Sequence, residues 1–458
     1  MDRTGILVVG SGGRECAFAM SLASDCRVYA MMDHENPLMV DIVNRTGGRY
    51  GVGRTSDPDK VLRFAKEYEP EFIFVNSDEP LANGVVDELL EAGFKAVGAT
   101  RRAAQIEWDK VYAMRLMSDV CPEFTPFYRV ITAEQHIADA ISEFKGRNIG
   151  IAVKPQGLTG GKGVRVMPEH LKTYEDCAEY ARELLQTRPG ESVLLVERLE
   201  GIEFTIMGIT DGESLVISPA SYDYPFRFEG DRGPGTGGMG CFTDVDKKLP
   251  FMSDADLDCC RMIMQRVIDE MRVRKSRFKG VLNGGFFKTA SGIRFMEWNG
   301  RFGDPEGLNI LSVMTTPLSE VLYSIWEETV SEDVISFAGK ASVIKYVVAK
   351  EYPSASPNAT DFEIDRKAIE NLGVAVYPAS CINVERDRYR TLKRSRVMAF
   401  GSVADSIGAA SDLVNKAIDC HVSGNLDYRR DIGSTENVSA LVQAAQKLAV
   451  SSTRVARP

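Results

Sequence analysis

A chain of 458 residues, 44% hydrophobic and 26% charged, has the composition of a globular protein with ample core, and its length points to about three domains. The net charge of −10 argues against a nucleic-acid surface, which needs clustered excess Lys and Arg. Nine cysteines without a C-x-x-C pair and four histidines without zinc spacing exclude a disulfide framework and a His-based metal centre. With no apolar run near about 18 residues and no signal-peptide pattern, a cytoplasmic protein is expected.

The first hundred residues alternate strand and helix. Strands are expected at 5–10, 26–32, 71–76 and 95–98. Helices open at Asp57-Pro58 and at Pro80, because proline is favoured at the first helical position, and Gly93 supplies a stop. This alternation predicts a doubly wound parallel sheet. Gly10-Ser-Gly-Gly-Arg-Glu15 follows the first strand and opens a helix whose free N–H groups suit an anion. Three readings stand for this loop. Arg14 favours a phosphate-bearing metabolite. Asp33, about 20 residues on, keeps a dinucleotide open, although Glu15 stands where G-x-G-x-x-G wants glycine or alanine. The third is a plain structural turn.

Past Arg101 a helix at 102–118 leads to strands at 149–154 and 163–166, a helix from Tyr174 and a strand at 192–197. These form a small α+β lobe placed before a larger one that runs to about residue 330. Lys154-Pro-Gln-Gly-Leu-Thr-Gly-Gly-Lys-Gly-Val164 is a glycine-rich hairpin and not a Walker A loop, because Gly163 follows Lys162 where Ser or Thr is needed and no helix pattern follows. It reads as a lid that closes its amides and Lys162 over a triphosphate, or as a mobile hairpin. Glu197 and Glu203 near a strand end suit an adenine amine and ribose hydroxyls, although each alone reads as a solvated carboxylate. The loop from Arg232 to Gly240 offers many backbone N–H groups, as an oxyanion cradle or a hinge.

Residues 292–306 carry the densest chemistry. Strand alternation sets Glu297, Asn299 and Arg301 on one face and turns Met296 and Trp298 into packing. A carboxylate, an amide oxygen and a guanidinium in a row seat Mg²⁺ and a polyanion, since magnesium takes hard oxygens and leaves several positions to phosphate. A half-buried edge strand with a polar face is the plainer alternative. A third unit is expected from about Ala341, with strands at 342–348 and 375–384, a loop at 354–360 and a helix at 409–419.

In this order the motifs resemble the ATP-grasp superfamily and, within it, the phosphoribosylamine–glycine ligase family. The resemblance runs from residues 10–15 to Tyr428-Arg-Arg-Asp-Ile-Gly433. Its most specific pieces are Gly157-Leu-Thr-Gly-Gly-Lys-Gly-Val164, Gly235-Thr-Gly-Gly-Met-Gly240 and Arg301-Phe-Gly-Asp-Pro-Glu306. It implies a multidomain α/β and α+β chain: an N-terminal doubly wound substrate domain (1–101), ATP-grasp lobes (102–330, the small lobe about 124–197) and a C-terminal α+β domain (331–458). It further implies ATP-dependent joining of glycine to 5-phosphoribosylamine through glycyl phosphate, in purine biosynthesis.

Carried over residue by residue, Lys110, Lys154, Gly157, Leu158, Gly160, Gly161, Lys162, Glu197, Leu199 and Glu203 contact ATP. Gly12, Gly13, Arg14, Glu15, Asp78, Asp223, Gly237, Gly238 and Arg301 contact the other substrates, and Arg301, Asp304 and Lys162 act in catalysis. Glu297 and Asn299 hold Mg²⁺, with Mn²⁺ as the alternative. The implied partners are small molecules, with neither nucleic acid nor membrane, and the implied state is a monomer or weak homodimer. Departures from the family pattern fall at Cys16, Asp78, Trp108-Asp109, Ser380 and Arg394-Ser395-Arg396. Gly284-Gly285-Phe286 stands where many ATP-grasp enzymes carry a further acidic metal ligand.

Overall fold

Five short apolar runs build the N-terminal sheet: β1 (Gly5–Val9), β2 (Arg27–Met32), β3 (Tyr50–Val52), β4 (Phe72–Val75) and β5 (Ala96–Val97). The computed structural model describes residues 3–158, 163–353, 359–392 and 395–455. All pairings in this sheet are parallel and the order is β3-β2-β1-β4-β5. β1, β2 and β4 are buried almost throughout, as strands covered on both faces must be. The four expected strands are present. β3 adds a fifth that is half-exposed and too short to show an apolar pattern. Because the order reverses between β1 and β4, a crevice opens beyond their carboxyl ends, where doubly wound sheets bind ligands.

Two expected helices are interrupted. The one at Pro80 divides into Asp78–Ala82 and Val85–Glu91 around Gly84, whose φ of +82° only glycine takes readily. The one at 102–118 divides into Gln105–Trp108 and Lys110–Val120. At that break Asp109 is extended and its carboxylate accepts from the amides of Val111 and Tyr112, both at 3.1 Å, so the second helix starts with an N-cap.

The small lobe is an antiparallel sheet in the spatial order Tyr128–Ile131, Val193–Glu197, Ile151–Pro155, Arg165–Val166. Helices Ile137–Gly146 and Tyr174–Thr187 bury Phe144, Cys177 and Tyr180 against it. The larger lobe orders Leu215–Ile217, Gly201–Thr210, Gly280–Thr289 and Gly292–Asn299, all antiparallel. Helix Asp254–Val273 opens on a Ser253/Asp256 capping box and packs Cys260, Ile263, Met264, Val267, Ile268 and Met271 into the core.

The last large sheet runs Tyr222–Asp223, Gly240–Thr243, Ala341–Ala349, Met398–Ala404, Val374–Pro378. Its first two strands come from inside the 102–330 segment, so this sheet crosses the boundary drawn near residue 330. The strand expected at 375–384 separates into Val374–Pro378 and Cys381–Glu385, which belong to different sheets. The helix expected at 409–419 extends over Ile407–His421, capped by Ser406. Of the loop expected at 354–360, residues 354–358 lie outside the described residues. Among the described residues no helix is long and apolar enough to cross a membrane.

Candidate active site

A cavity of about 390 Å³ lies between the small and large lobes, floored by strands Gly201–Thr210, Gly280–Thr289 and Gly292–Asn299. Its floor is shaped by a β-bulge. Gly285 pairs with Glu297 but Phe286 pairs with Phe295, so Met296 is one residue too many. The bulge resets the alternation: Ile293, Phe295 and Trp298 are buried, while the adjacent Met296 and Glu297, and then Asn299, are only half-buried. Glu297 and Asn299 therefore share a face as expected. The expectation that Met296 turns away from them is corrected, because an inserted residue breaks the two-residue period.

Arg301 follows the strand and is held from three sides. Its Nε lies 3.2 Å from Glu107 Oε1, its Nη1 donates to the Phe302 carbonyl at 3.1 Å, and its Nη2 reaches Asn299 Oδ1 at 3.4 Å. Glu107 is buried and also accepts from the Gly300 amide at 2.8 Å. Burial pushes its carboxyl up, and the Arg301 guanidinium opposes this.

The cavity is crowded with charge of both signs. Burial raises Glu203 to about 7, and the charges of Glu297 and Glu306 add to the shift. Burial likewise lifts Asp223 well above the usual carboxylate range, reinforced by Glu306 and Glu203 and opposed by Arg396. Facing these acids are Lys110 and Lys154. Lys110 donates to the Gly157 carbonyl at 2.8 Å; burial and the Lys154 charge lower its pKa while Glu297 opposes. A buried set of this kind suits a ligand with both phosphate and cationic parts.

The donors fit a hard divalent cation. Glu297 and Asn299 present oxygens to the cavity. Asn283, opposite Asn299 in the strand register, has a buried Oδ1 without a hydrogen-bond partner. Among the described residues no group of three or more His, Cys, Asp or Glu side chains is arranged to hold a metal. A cation here would draw its remaining ligands from phosphate and water, as Mg²⁺ commonly does.

A second cavity, of about 370 Å³, sits at the crevice beyond β1 and β4 and is lined by Gly10–Gly13 of the glycine loop together with Glu15, Asp33, His34, Ser77 and Asp78. Gly10 has φ +128°, and a Cβ there would lie 2.5 Å from Glu15 Cγ, so the turn requires glycine. The Gly12 amide donates to Glu15 Oε2 at 3.0 Å. Arg14 turns away from this cavity. Its guanidinium is engaged by Glu15 Oε1 (2.9 Å), the Phe302 carbonyl (2.9 Å) and Ser77 Oγ (3.0 Å), and it lines the first cavity instead. Both carboxylate oxygens of Asp33 hold Thr55, at 3.0 and 2.7 Å, which leaves little for the ribose of a dinucleotide.

Asp78, Asp304 and Arg396 line both cavities. Leu158, Asp223 and Gly237 line the first, whereas Gly238 is carbonyl partner to Arg396 at 3.0 Å. Among the described residues Glu197 and Leu199 line neither; the Glu197 carboxylate accepts from the Phe127 amide at 2.9 Å and meets Arg294 at 3.5 Å. Gly157 donates its amide to Glu191. Gly160, Gly161 and Lys162 lie outside the described residues. Sequence reasoning missed Glu107, Asn283 and Tyr346. Of these only Asn283, a lone amide in the apolar run 281–287, left a visible signal.

Comparison with known proteins shows the family. Residues 4–107 match the family described as phosphoribosylglycinamide synthetase, N domain, and residues 108–307 match its ATP-grasp (A) domain. The chain is 37% identical over 445 residues to a phosphoribosylamine–glycine ligase of Methanothermobacter thermautotrophicus, covering 97% of this chain and 99% of the relative. To the same-named protein of Methanobrevibacter smithii it is 36% identical, with the same coverage. Among solved structures, phosphoribosylamine–glycine ligase from Thermotoga maritima superposes with a TM-score of 0.75 at 22% identity, covering 93% of this chain and 99% of that one. A biotin carboxylase from Campylobacter jejuni gives 0.72 at 13% identity, covering 96% and 98%. At those identities the structures speak to the fold alone.

Proposed function

The chain belongs to the phosphoribosylamine–glycine ligase family, and we propose that it joins its substrates through glycyl phosphate at the junction of the two cavities. It is a C–N ligase that consumes ATP, glycine and 5-phosphoribosylamine and yields glycinamide ribonucleotide, ADP and phosphate in purine biosynthesis. The observation that carries the proposal is the sharing of Asp78, Asp304 and Arg396 by a lysine-and-carboxylate cavity and a glycine-loop cavity.

In this reading Lys110 and Lys154 hold the triphosphate and Glu203 takes the ribose. The hairpin around Gly157 closes above, with Lys162 as its phosphate contact. Glycine lies with its carboxylate toward Arg301 and its ammonium toward Asp223 and Glu306, whose carboxyl groups burial pushes up and neighbouring carboxylates push further. Its carboxylate attacks the γ-phosphorus, a step that needs positioning and charge neutralisation more than a protein nucleophile. A divalent cation held by Glu297 and Asn299, Mg²⁺ by the hardness of its donors and Mn²⁺ by the same chemistry, would offset charge on the transferring phosphoryl group.

The glycine loop, with the Gly13 amide at a helix N-terminus, binds the ribosyl phosphate, and the amine then reaches the acyl carbon past Asp304. Closure of the hairpin keeps water from the acyl phosphate. The deciding assay measures ADP and glycinamide ribonucleotide with glycine alone, with the amine alone, and with both. Equal amounts of the two products only when both substrates are present is expected. ADP formed with some other acid or amine in preference would sink the assignment.

A further inference from the structure

We propose that Tyr346 and Arg396, both supplied by the C-terminal part of the chain, are positioning residues that fix the Asp304 carboxylate so that it orients the attacking amine. The inference rests on the reaction assigned above and concerns its second half. Tyr346 is fully buried in the centre of strand Ala341–Ala349, and its Oη donates to Asp304 Oδ1 at 2.7 Å. Arg396 reaches Asp304 Oδ2 at 3.2 Å and lays its guanidinium over the Tyr346 ring, 4.5 Å from the centroid. The same guanidinium donates to the backbone carbonyls of Gly237, Gly238 and Asp304. Each oxygen of Asp304 thus has one fixed donor, and the residue lines both cavities.

This arrangement suits an orienting acceptor better than a proton store. Two donors, one of them cationic, hold the carboxylate oxygens in a single geometry. Burial and the Asp304 charge keep the Tyr346 phenol protonated, so it remains a donor. An amine that donates N–H to Asp304 has its lone pair directed away from the carboxylate, toward the nucleotide side. When it attacks, the C–N bond forms, the C–O bond to phosphate breaks with its electron pair leaving on phosphate, and the surplus amine proton passes to that phosphate.

The clamp also touches the ribosyl-phosphate loop. A Cβ placed on Gly13 would lie 2.3 Å from Tyr346 Oη, so the phenol rests against the loop itself. Amine orientation and phosphate seating are therefore set by one side chain.

Tyr346→Phe in the full chain removes one hydrogen bond and keeps the ring. With ATP, glycine and phosphoribosylamine formed from ribose 5-phosphate and ammonia, ADP and product are measured together. The wild type is expected to make one product per ADP. The variant should release several ADP per product, as unaimed amine loses to water, with KM for the amine up about tenfold and KM for ATP and glycine unchanged. Arg396→Lys, which keeps charge but cannot bridge the carbonyls, should uncouple in the same way, and melting temperatures identify a variant that has lost its fold. Tight coupling and an unchanged amine KM in a folded variant would overturn the proposal. A wild type that makes ADP but no product would overturn the reaction assignment, and this inference with it.

Discussion

Glu297 carries the cation only if its oxygen is replaceable by nothing else in the cavity. Asn299 is shared with Arg301, and Asn283 is neutral. Glu297→Ala is therefore expected to lower ADP formation by about a hundredfold or more while leaving the melting temperature little changed, since the half-buried side chain faces the cavity. Residual turnover near wild type in that variant would remove the metal assignment.

Lys345 behaves differently because it lies in the fold, away from the chemistry. It is buried and donates to Ser411 Oγ (2.9 Å), Asn415 Oδ1 (2.7 Å) and the Arg430 carbonyl (2.9 Å). Burial pulls its pKa down to about 7, against the pull of Asp431, Asp412 and Asp419. In the unfolded chain the value returns to about 10.4, so between these values the unfolded state holds the extra proton and stability rises with pH. Below the folded value the penalty for a buried ammonium is fully present. Thermal midpoints of the wild type minus those of Lys345→Met should climb from pH 7 to about pH 10; a flat difference would place the ammonium's folded pKa at its ordinary value.

Elements were legible where a periodic pattern runs unbroken and illegible where one residue interrupts it. Glu297 and Asn299 could be paired from the sequence because they stand two apart in an apolar strand. The insertion of Met296 could not, because a bulge is defined by the partner strand, whose Gly285 and Phe286 lie elsewhere in the chain. The helix at 102–118 looked continuous because Trp108 and Asp109 do not spoil an apolar period; the break comes from a side chain capping its own backbone. That cap gives a local test. Asp109→Ala should cost about 1 kcal/mol and speed hydrogen exchange at the Val111 and Tyr112 amides. Because Asp109 also accepts from Gln156 Nε2 at 3.0 Å, KM for ATP should rise as Lys110 loosens. Unaltered exchange at those two amides would show that the cap contributes nothing.

The whole molecule is tied together by contacts that no local pattern announces. Glu107 meets the Gly300 amide across 193 positions, and Tyr346 meets Asp304 across 42. Alternation of strand and helix disclosed the N-terminal sheet, and motif order disclosed the lobes. The sheet that joins Gly240–Thr243 to Ala341–Ala349 was hidden, since its strands look like parts of separate units. Ala341–Ala349 is buried along its length and pairs with Gly240–Thr243, Met398–Ala404 and Leu426–Asp427. A fragment ending at residue 330 would leave Gly240–Thr243 with an open edge, so it should aggregate and show no cooperative melting transition in calorimetry. A soluble fragment with a sharp transition would restore the boundary as a true division.

The near-contact of Gly13 with Tyr346 has an evolutionary corollary. In this chain Oη would stand 2.3 Å, and the ring carbon bearing it 3.3 Å, from a methyl at position 13. Alanine at 13 is thus intolerable beside tyrosine and only tight beside phenylalanine. The dependence runs one way: a side chain at 13 requires loss of the phenol at 346 first, whereas loss of the phenol leaves Gly13 free to stay.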